Sequence, residues 1–345
     1  MSQTRKVVEA LMKYGPRYSA ISRETEVPIT TVRYILREKL PKLGFTIRPA
    51  INHGKLGLRW YLVMLEFSVR PDYLTTMLDL FGESMYLSYY AYLLNERKFL
   101  TLFATSPKFE ESFSNFLDEL VKLNIVKRYV LKRLQYRRVV PFRADCFNFN
   151  DGVWIQNWDE ISRSEDVPEI LEEPTQIHGL SSLDIRILAE IYKNPFTSYS
   201  EIARRLSVSR QTIKKHYQNI VSKIYLYMLF WMPTRFPELV STPMFVQTHF
   251  NSYTRKTMLD IPFTHLEMKS DDSEYYSILF VPSVGFYKVL RYIDERGISG
   301  KIDFLSMEYA ANFVPHYNLY DNRRGWINVF EYGLQKILKE VKLTG

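Results

Sequence analysis

Apolar residues recur along this 345-residue chain at two periods, and the changes between them mark out its elements. Val7, Val8, Leu11 and Met12 predict a helix over 4–14, ended by the Gly15-Pro16 breaker. Ala20 and Ile21, then Val32, Ile35 and Leu36 beyond a turn at Glu26-Val27, predict a helix–turn–helix over 18–36. The passage is written twice. Residues 199–217 align with it without a gap at an offset of 181, and place Ile202, Ala203, Leu206, Val208, Ile213 and Tyr217 on the same schedule. An ungapped match between distant parts of one chain points to duplication.

Phe45 to Ile51 alternates as a strand and Asn52 to Lys55 reads as its turn, which makes residues 1–57 a winged helix-turn-helix head. From 58 the order becomes strand 58–69, helix 72–81, strands 85–94 and 98–105, helix 109–123 and strand 126–137. That βαββαβ order is the ferredoxin-like unit, whose helices cover one face of an antiparallel sheet. The strand MYLSYYAYLL at 85–94 is apolar on both faces, so the second face is expected to pack sheet to sheet against another domain or subunit.

A second repeat closes each half: VPFRADCFNFNDGVWIQNWDEI from Val140 resembles VPHYNLYDNRRGWINVFEYG from Val314, pairing Trp154 with Trp326 in an aromatic tailpiece. The first tailpiece ends at 161. An acidic, proline-punctuated stretch over 162–180 reads as a solvated linker. The pattern then restarts with a second head over 181–238 and a second βαββαβ unit over 239–345, closing on an amphipathic helix from Trp326 to Val341. In place of the first wing stands IYLYMLFWM at 224–232, too apolar to face DNA and expected to be buried against its neighbour. The expected fold is thus α+β: a tandem duplication of a winged helix-turn-helix domain followed by a ferredoxin-like domain.

Charge sharpens this picture. Residues 1–57 hold 11 Lys/Arg against 4 Asp/Glu and residues 181–235 hold 9 against 3, in a chain of net charge +8, so everything else is acidic. Basic charge concentrated on two helix-turn-helix segments is the footprint expected for a polyanion. The candidate DNA-reading residues are Thr30, Thr31, Arg33, Tyr34 and Arg37 on the first recognition helix, with Arg48 and Lys55 on its wing. On the second they are Ser209, Arg210, Gln211, Thr212, Lys214, Lys215 and His216. Arg and Lys meet guanine or phosphate, Gln meets adenine, and a Thr methyl meets thymine. An ordinary solvated basic face is the competing reading, and the repetition of that face in both copies weighs against it.

The single cysteine, Cys146, excludes an intrachain disulfide and a CxxC zinc module, and reads as a small buried hydrophobe. The polar opening and the absence of a long apolar run lead to the expectation of a soluble protein of the cytoplasm, associated with the nucleoid and not with a membrane.

The order of head and βαββαβ unit, with Leu183 to Leu188, Tyr199 to Ala203 and the Thr30-Thr31-Val32-Arg33 run before Leu43-Gly44-Phe45, resembles the Lrp/AsnC family of transcription regulators. The resemblance implies double-stranded DNA as partner, a ferredoxin-like domain that joins subunits, here as a homodimer through the sheets, and in many members an amino-acid effector. This chain departs by carrying two units and aromatic tailpieces. It also lacks glycine in the turns at 94–98 and 269–275, near where the effector loop would lie, which counts against a small-molecule effector.

A DNA-binding transcription regulator or chromatin-associated protein is the expectation. The alternative is an RNA-binding or translation-associated protein that stacks bases on its sheets, though the Lys/Arg-Gly-aromatic strand pattern is absent. The six histidines are scattered without HxH or HExxH spacing and no phosphate-cradling glycine loop is present, so the chain is expected to be no enzyme and to use no cofactor or metal.

Overall fold

The computed structural model describes residues 2–68, 71–163, 167–169, 171–175, 179–232, 241–330, 332, 333 and 335. The expected closing helix from Trp326 to Val341 lies largely outside them.

The chain opens with α1 (Gln3–Tyr14), α2 (Tyr18–Thr25) and α3 (Ile29–Tyr34), which runs through a π-turn at Ile35–Lys39 into α4 (Leu40–Lys42) and then β1 (Phe45–Ile51). After β2 (Arg59–Phe67), α5 (Pro71–Ser84), β3 (Leu87–Leu93), β4 (Lys98–Thr105), α6 (Glu110–Lys122) and β5 (Val126–Val139) comes a small hairpin, β6 (Phe147–Asn148) and β7 (Val153–Trp154). The second half repeats the order: α7 (Ser182–Lys193), α8 (Tyr199–Leu206), α9 (Arg210–Val221) and β8 (Ile224–Trp231). It continues with β9 (Ser241–His249), α10 (Ser252–Asp260), β10 (Thr264–Ser270), β11 (Glu274–Pro282), α11 (Phe286–Glu295) and β12 (Gly300–Asn312), then the hairpin β13 (Tyr320–Asp321) and β14 (Gly325–Trp326). Most elements sit within about two residues of where periodicity puts them, since each is fixed by its own apolar stripe.

Both helix–turn–helix turns pivot on a left-handed residue, Glu26 at φ 59° and Ser207 at φ 55°. The starts of the recognition helices differ. Ser209 caps α9 by accepting from the Thr212 N–H at 3.0 Å, whereas α3 follows Pro28 with no side-chain cap. The second head also opens on a capping box between Ser181 and Asp184.

The wings depart from expectation. β1 and β8 pair antiparallel with each other, Phe45 opposite Trp231 and Ala50 opposite Leu226, so the wing strands of the two heads form one shared two-stranded sheet. β8 packs on α1 and β1 on α7, an exchange between the heads. The apolar strand is needed because Tyr227, Leu229 and Trp231 complete the core that Val7, Leu11, Ile21, Val32 and Leu36 begin. Burying three such side chains contributes about 1.5–3 kcal/mol each.

The expectation that the two βαββαβ units pack sheet to sheet is not met. Their eight strands close one barrel in the order β10-β11-β9-β12-β3-β4-β2-β5. Each unit keeps the ferredoxin-like order internally, and two seams join them: β5 to β10, with Val139 opposite Leu266, and β12 to β3, with Ala311 opposite Tyr90. Closure pairs the edges that an open sheet would leave to a second chain. Of the partners expected for the sheet, another domain or a subunit, the barrel supplies the other domain of the same chain.

Candidate nucleic-acid face and a buried polar site

On the first head Thr30, Arg33 and Tyr34 are exposed and Thr31 is half-buried, with the Arg33 guanidinium 5.4 Å from the Tyr18 ring centre. Arg37 donates to the Tyr18 hydroxyl at 2.8 Å and to the Phe196 carbonyl at 3.2 Å, and so ties the first head to the second. Arg48 stands over the Tyr192 ring at 5.4 Å, and Lys55 donates to the Ser222 carbonyl at 2.9 Å. These three cations hold the heads together, because the exchanged strands bring the heads into contact there.

On the second head Ser209 and Thr212 serve the helix cap, their hydroxyls 2.8 Å apart, and His216 Nδ1 lies 2.8 Å from the buried Asp184 carboxylate. Arg210, Gln211, Lys214 and Lys215 remain exposed, and their spacing puts them on one edge of α9.

A second cluster lies in the barrel region, and its members come from separate elements. Arg137 and Arg138 stand near the end of β5, His53 in the turn after β1, Trp60 at the start of β2, Tyr89 on β3, Tyr225 on β8 and His265 on β10. Glu172 comes from the segment 171–175, which is moored by its own N–H to the Gln135 carbonyl and by the Thr175 N–H to the Gly54 carbonyl, both at 3.0 Å. Gly54 has to be glycine here, since a Cβ would meet the Glu173 carbonyl oxygen at 2.5 Å. Far from being solvated, Glu172 is buried.

Burial drives the His53 imidazole down to about 3 and His265 down to about 4, with the Arg137 charge pushing both the same way. Burial likewise pushes the Glu172 carboxyl up to about 8, against the lowering pull of the Arg137 charge. The Tyr89 and Tyr225 hydroxyls are raised for the same reason. Yet His53, Tyr89, Arg137, Tyr225 and His265 all keep accessible surface. His53 Nδ1 lies 3.1 Å from the Ile51 carbonyl, which can only accept, so the ring proton sits there and Nε2 offers a lone pair. Among the described residues, Trp60 Nε1, Arg137 Nε, Arg138 Nε and one Glu172 oxygen are buried without a hydrogen-bond partner. Unpaired buried donors around a guanidinium are suited to receiving a carboxylate.

Sequence reasoning missed this cluster because no two members but the Arg137-Arg138 pair share a local spacing. The one available signal was that pair, two cations ending a strand whose neighbours on both sides are apolar. No group of three His, Cys, Asp or Glu among the described residues could hold a metal ion, and none of the described helices is long and apolar enough to cross a membrane.

Residues 180–219 match the family model for winged helix-turn-helix DNA-binding domains, so the second head is a winged helix-turn-helix. Over its whole length the chain has the fold of a siroheme decarboxylase, NirDL: TM-score 0.54 at 10% identity, covering 99% of this chain and 100% of that one. The same enzyme in co-complex with an iron-uroporphyrin III analogue gives 0.50 at 12% identity, with 99% of each chain covered. No curated protein matches the sequence. These likenesses are of fold and do not single out Lrp/AsnC regulators. They correct the expectation that the chain is no enzyme: the full arrangement of heads and barrel is one on which a decarboxylase is built.

Proposed function

We propose that this chain binds duplex DNA as a transcription regulator built by internal duplication, reading sequence through α9 of its second head. The observation that carries the reading is the edge of α9. Arg210, Gln211, Lys214 and Lys215 are exposed, on a capped helix within the segment that matches winged helix-turn-helix domains. A helix so placed enters the major groove with its N-terminal residues on base edges, and the Lys pair meets phosphate. Titration of the full chain against duplex DNA, single-stranded DNA and RNA at two salt concentrations tests it. Duplex should bind tightest, with a slope of log K against log salt steeper than about −4. Salt-independent duplex binding counts against the reading, and preference for RNA favours base stacking on the barrel.

A second reading is favoured by the Arg137 cluster and is compatible with the first. In it the chain removes a carboxylate as carbon dioxide from a tetrapyrrole, as the siroheme decarboxylase does by name. Arg137 and the Trp60 N–H would hold the carboxylate out of water, the C–C bond would break, and the electron pair left on carbon would take up one proton. The Tyr89 and Tyr225 hydroxyls, held protonated by burial, are the protic groups of the site. Incubation with siroheme and mass spectrometry of the pigment tests this. Loss of one carbon dioxide that disappears in Arg137→Ala supports it, and intact pigment with the parent chain sinks it.

A further inference from the structure

The two tailpieces descend through the same geometry and end differently. In each, a tryptophan closes the small hairpin and the next N–H returns to the chain before it: Ile155 to the Cys146 carbonyl at 2.9 Å, Ile327 to the Leu319 carbonyl at 3.0 Å. Positions 154, 156 and 158 therefore correspond to 326, 328 and 330. In the second tailpiece every polar atom in this series is satisfied. Trp326 donates to the Leu56 carbonyl at 2.7 Å, Asn328 donates to the Ser112 hydroxyl at 2.8 Å, and Phe330 is fully buried among Tyr86, Phe113 and Phe116. In the first, Trp154 Nε1, Gln156 Oε1 and Trp158 Nε1 are all buried without a partner among the described residues. Three successive orphans on one strap, where its twin has none, mark a place built to receive something.

What surrounds the strap tells the chemistry. A cavity of about 730 Å³ opens beside it, walled by Trp154, Trp231 and Phe263, with Lys288 of α11 at its rim. This is the size range of sites that take drug-sized molecules. Trp154 meets Phe263 edge to face at 5.1 Å and Trp231 edge to face at 6.1 Å, so this wall of the cavity is aromatic. Of the three orphans, Trp154 and Gln156 line the cavity and offer it an N–H donor and an acceptor, while Lys288 is exposed and makes no hydrogen bond or ion pair among the described residues. A smaller space shares the Trp154, Trp231 and Phe263 walls and is lined also by Phe230 and His265.

We propose that this cavity is a ligand site for a planar heteroaromatic molecule bearing an acidic group. The ring lies against Trp154, Trp231 and Phe263, its heteroatoms pair with Gln156 and an indole N–H, and its anion meets Lys288. The site stands independently of both functions proposed above, and the closed second tailpiece is its structural counterpart.

The test is fluorescence anisotropy of two probes added separately to the full chain, flavin mononucleotide and protoporphyrin IX, which share the chemistry but differ in ring size. At least one should bind with one-to-one stoichiometry. Lys288→Glu, at an exposed position that leaves folding intact, should weaken it about tenfold or more, Gln156→Leu should weaken it several-fold, and Asn328→Ala on the closed tailpiece should leave it unchanged. Binding by neither probe overturns the proposal. So does binding that Lys288→Glu and Gln156→Leu leave unmoved, including a porphyrin lost only in Arg137→Ala, which places it at the Arg137 cluster instead.

Discussion

Arg137 sets its guanidinium 5.0 Å from the centre of the Trp60 ring, and the His53 imidazole packs 4.2 Å from the same ring. The indole thus shields a cation from water on one side and holds a neutral histidine on another. A desolvated cation over tryptophan gains about 2 kcal/mol, which offsets part of the cost of enclosing a charge with an unpaired Nε.

Replacing Arg137 by Ala should therefore raise the pKa of both His53 and His265, since its charge pushes each down. Neither should reach the ordinary value of about 6.5, because burial, the larger cause, remains. Carbon-detected NMR titration of the labelled histidines checks this. Two histidines that titrate as in the parent would show the guanidinium to be screened from them.

Stability should fall on the acid side of neutrality. His53, His265 and His316 have folded values of about 3, 4 and 4, below the ordinary 6.5. They contribute stability above pH 6.5 that is lost as the pH falls toward those values. Glu172, raised to about 8, works the opposite way: its contribution is full below its ordinary value near 4.5 and is lost as the pH rises through 8. Between pH 5 and 6 the unfolded chain binds about two more protons net, so stability should drop by roughly 2.5–3 kcal/mol for each pH unit of acidification. Urea midpoints at pH 5, 6, 7 and 9 measure it, and Glu172→Gln should exceed the parent in stability at pH 9. A flat profile from 7 to 5 would contradict the histidine burial.

The same physics separates what could be read in the sequence from what could not. Elements were legible because each rests on a local apolar period: Phe45–Ile51 and Lys98–Thr105 fall on the expected residues. Which strands meet was not, because the pairing of Val139 with Leu266 or Ala311 with Tyr90 is decided by closure across the whole chain. The exposed edge of α9 was legible as basic residues between apolar ones. The roles of Arg37, Arg48 and Lys55 were not, since their partners Phe196, Tyr192 and Ser222 lie in the other head. Glu172 misleads most of all: its neighbours have linker composition, and only the docking of that segment on Gly54 buries it.

Gly54→Ala should loosen the segment that carries Glu172. The new methyl would press on backbone atoms of Glu172 and Glu173, which cannot turn aside as a side chain could. A loss of about 1–3 kcal/mol is expected. Hydrogen exchange at the Thr175 amide, which donates to the Gly54 carbonyl, should accelerate in the variant. Unchanged exchange would mean that the segment accommodates the methyl without leaving its mooring.

The heads should divide their labour unequally on DNA. α9 presents Arg210, Gln211, Lys214 and Lys215 from a capped start, while the first head keeps Thr30, Arg33 and Tyr34 exposed and spends Arg37, Arg48 and Lys55 on the contact between heads. Arg210→Ala should weaken duplex binding by about 1–3 kcal/mol if it reads a base. Arg33→Ala should cost less, since its guanidinium already rests on Tyr18. Because the exposed sets differ, the preferred site should be asymmetric, unlike the palindrome read by a symmetric dimer. Footprints on a selected duplex decide it. Loss of one distinct half of the protection in each variant means that both heads read DNA, and an unchanged footprint in Arg210→Ala removes the second head from the interface.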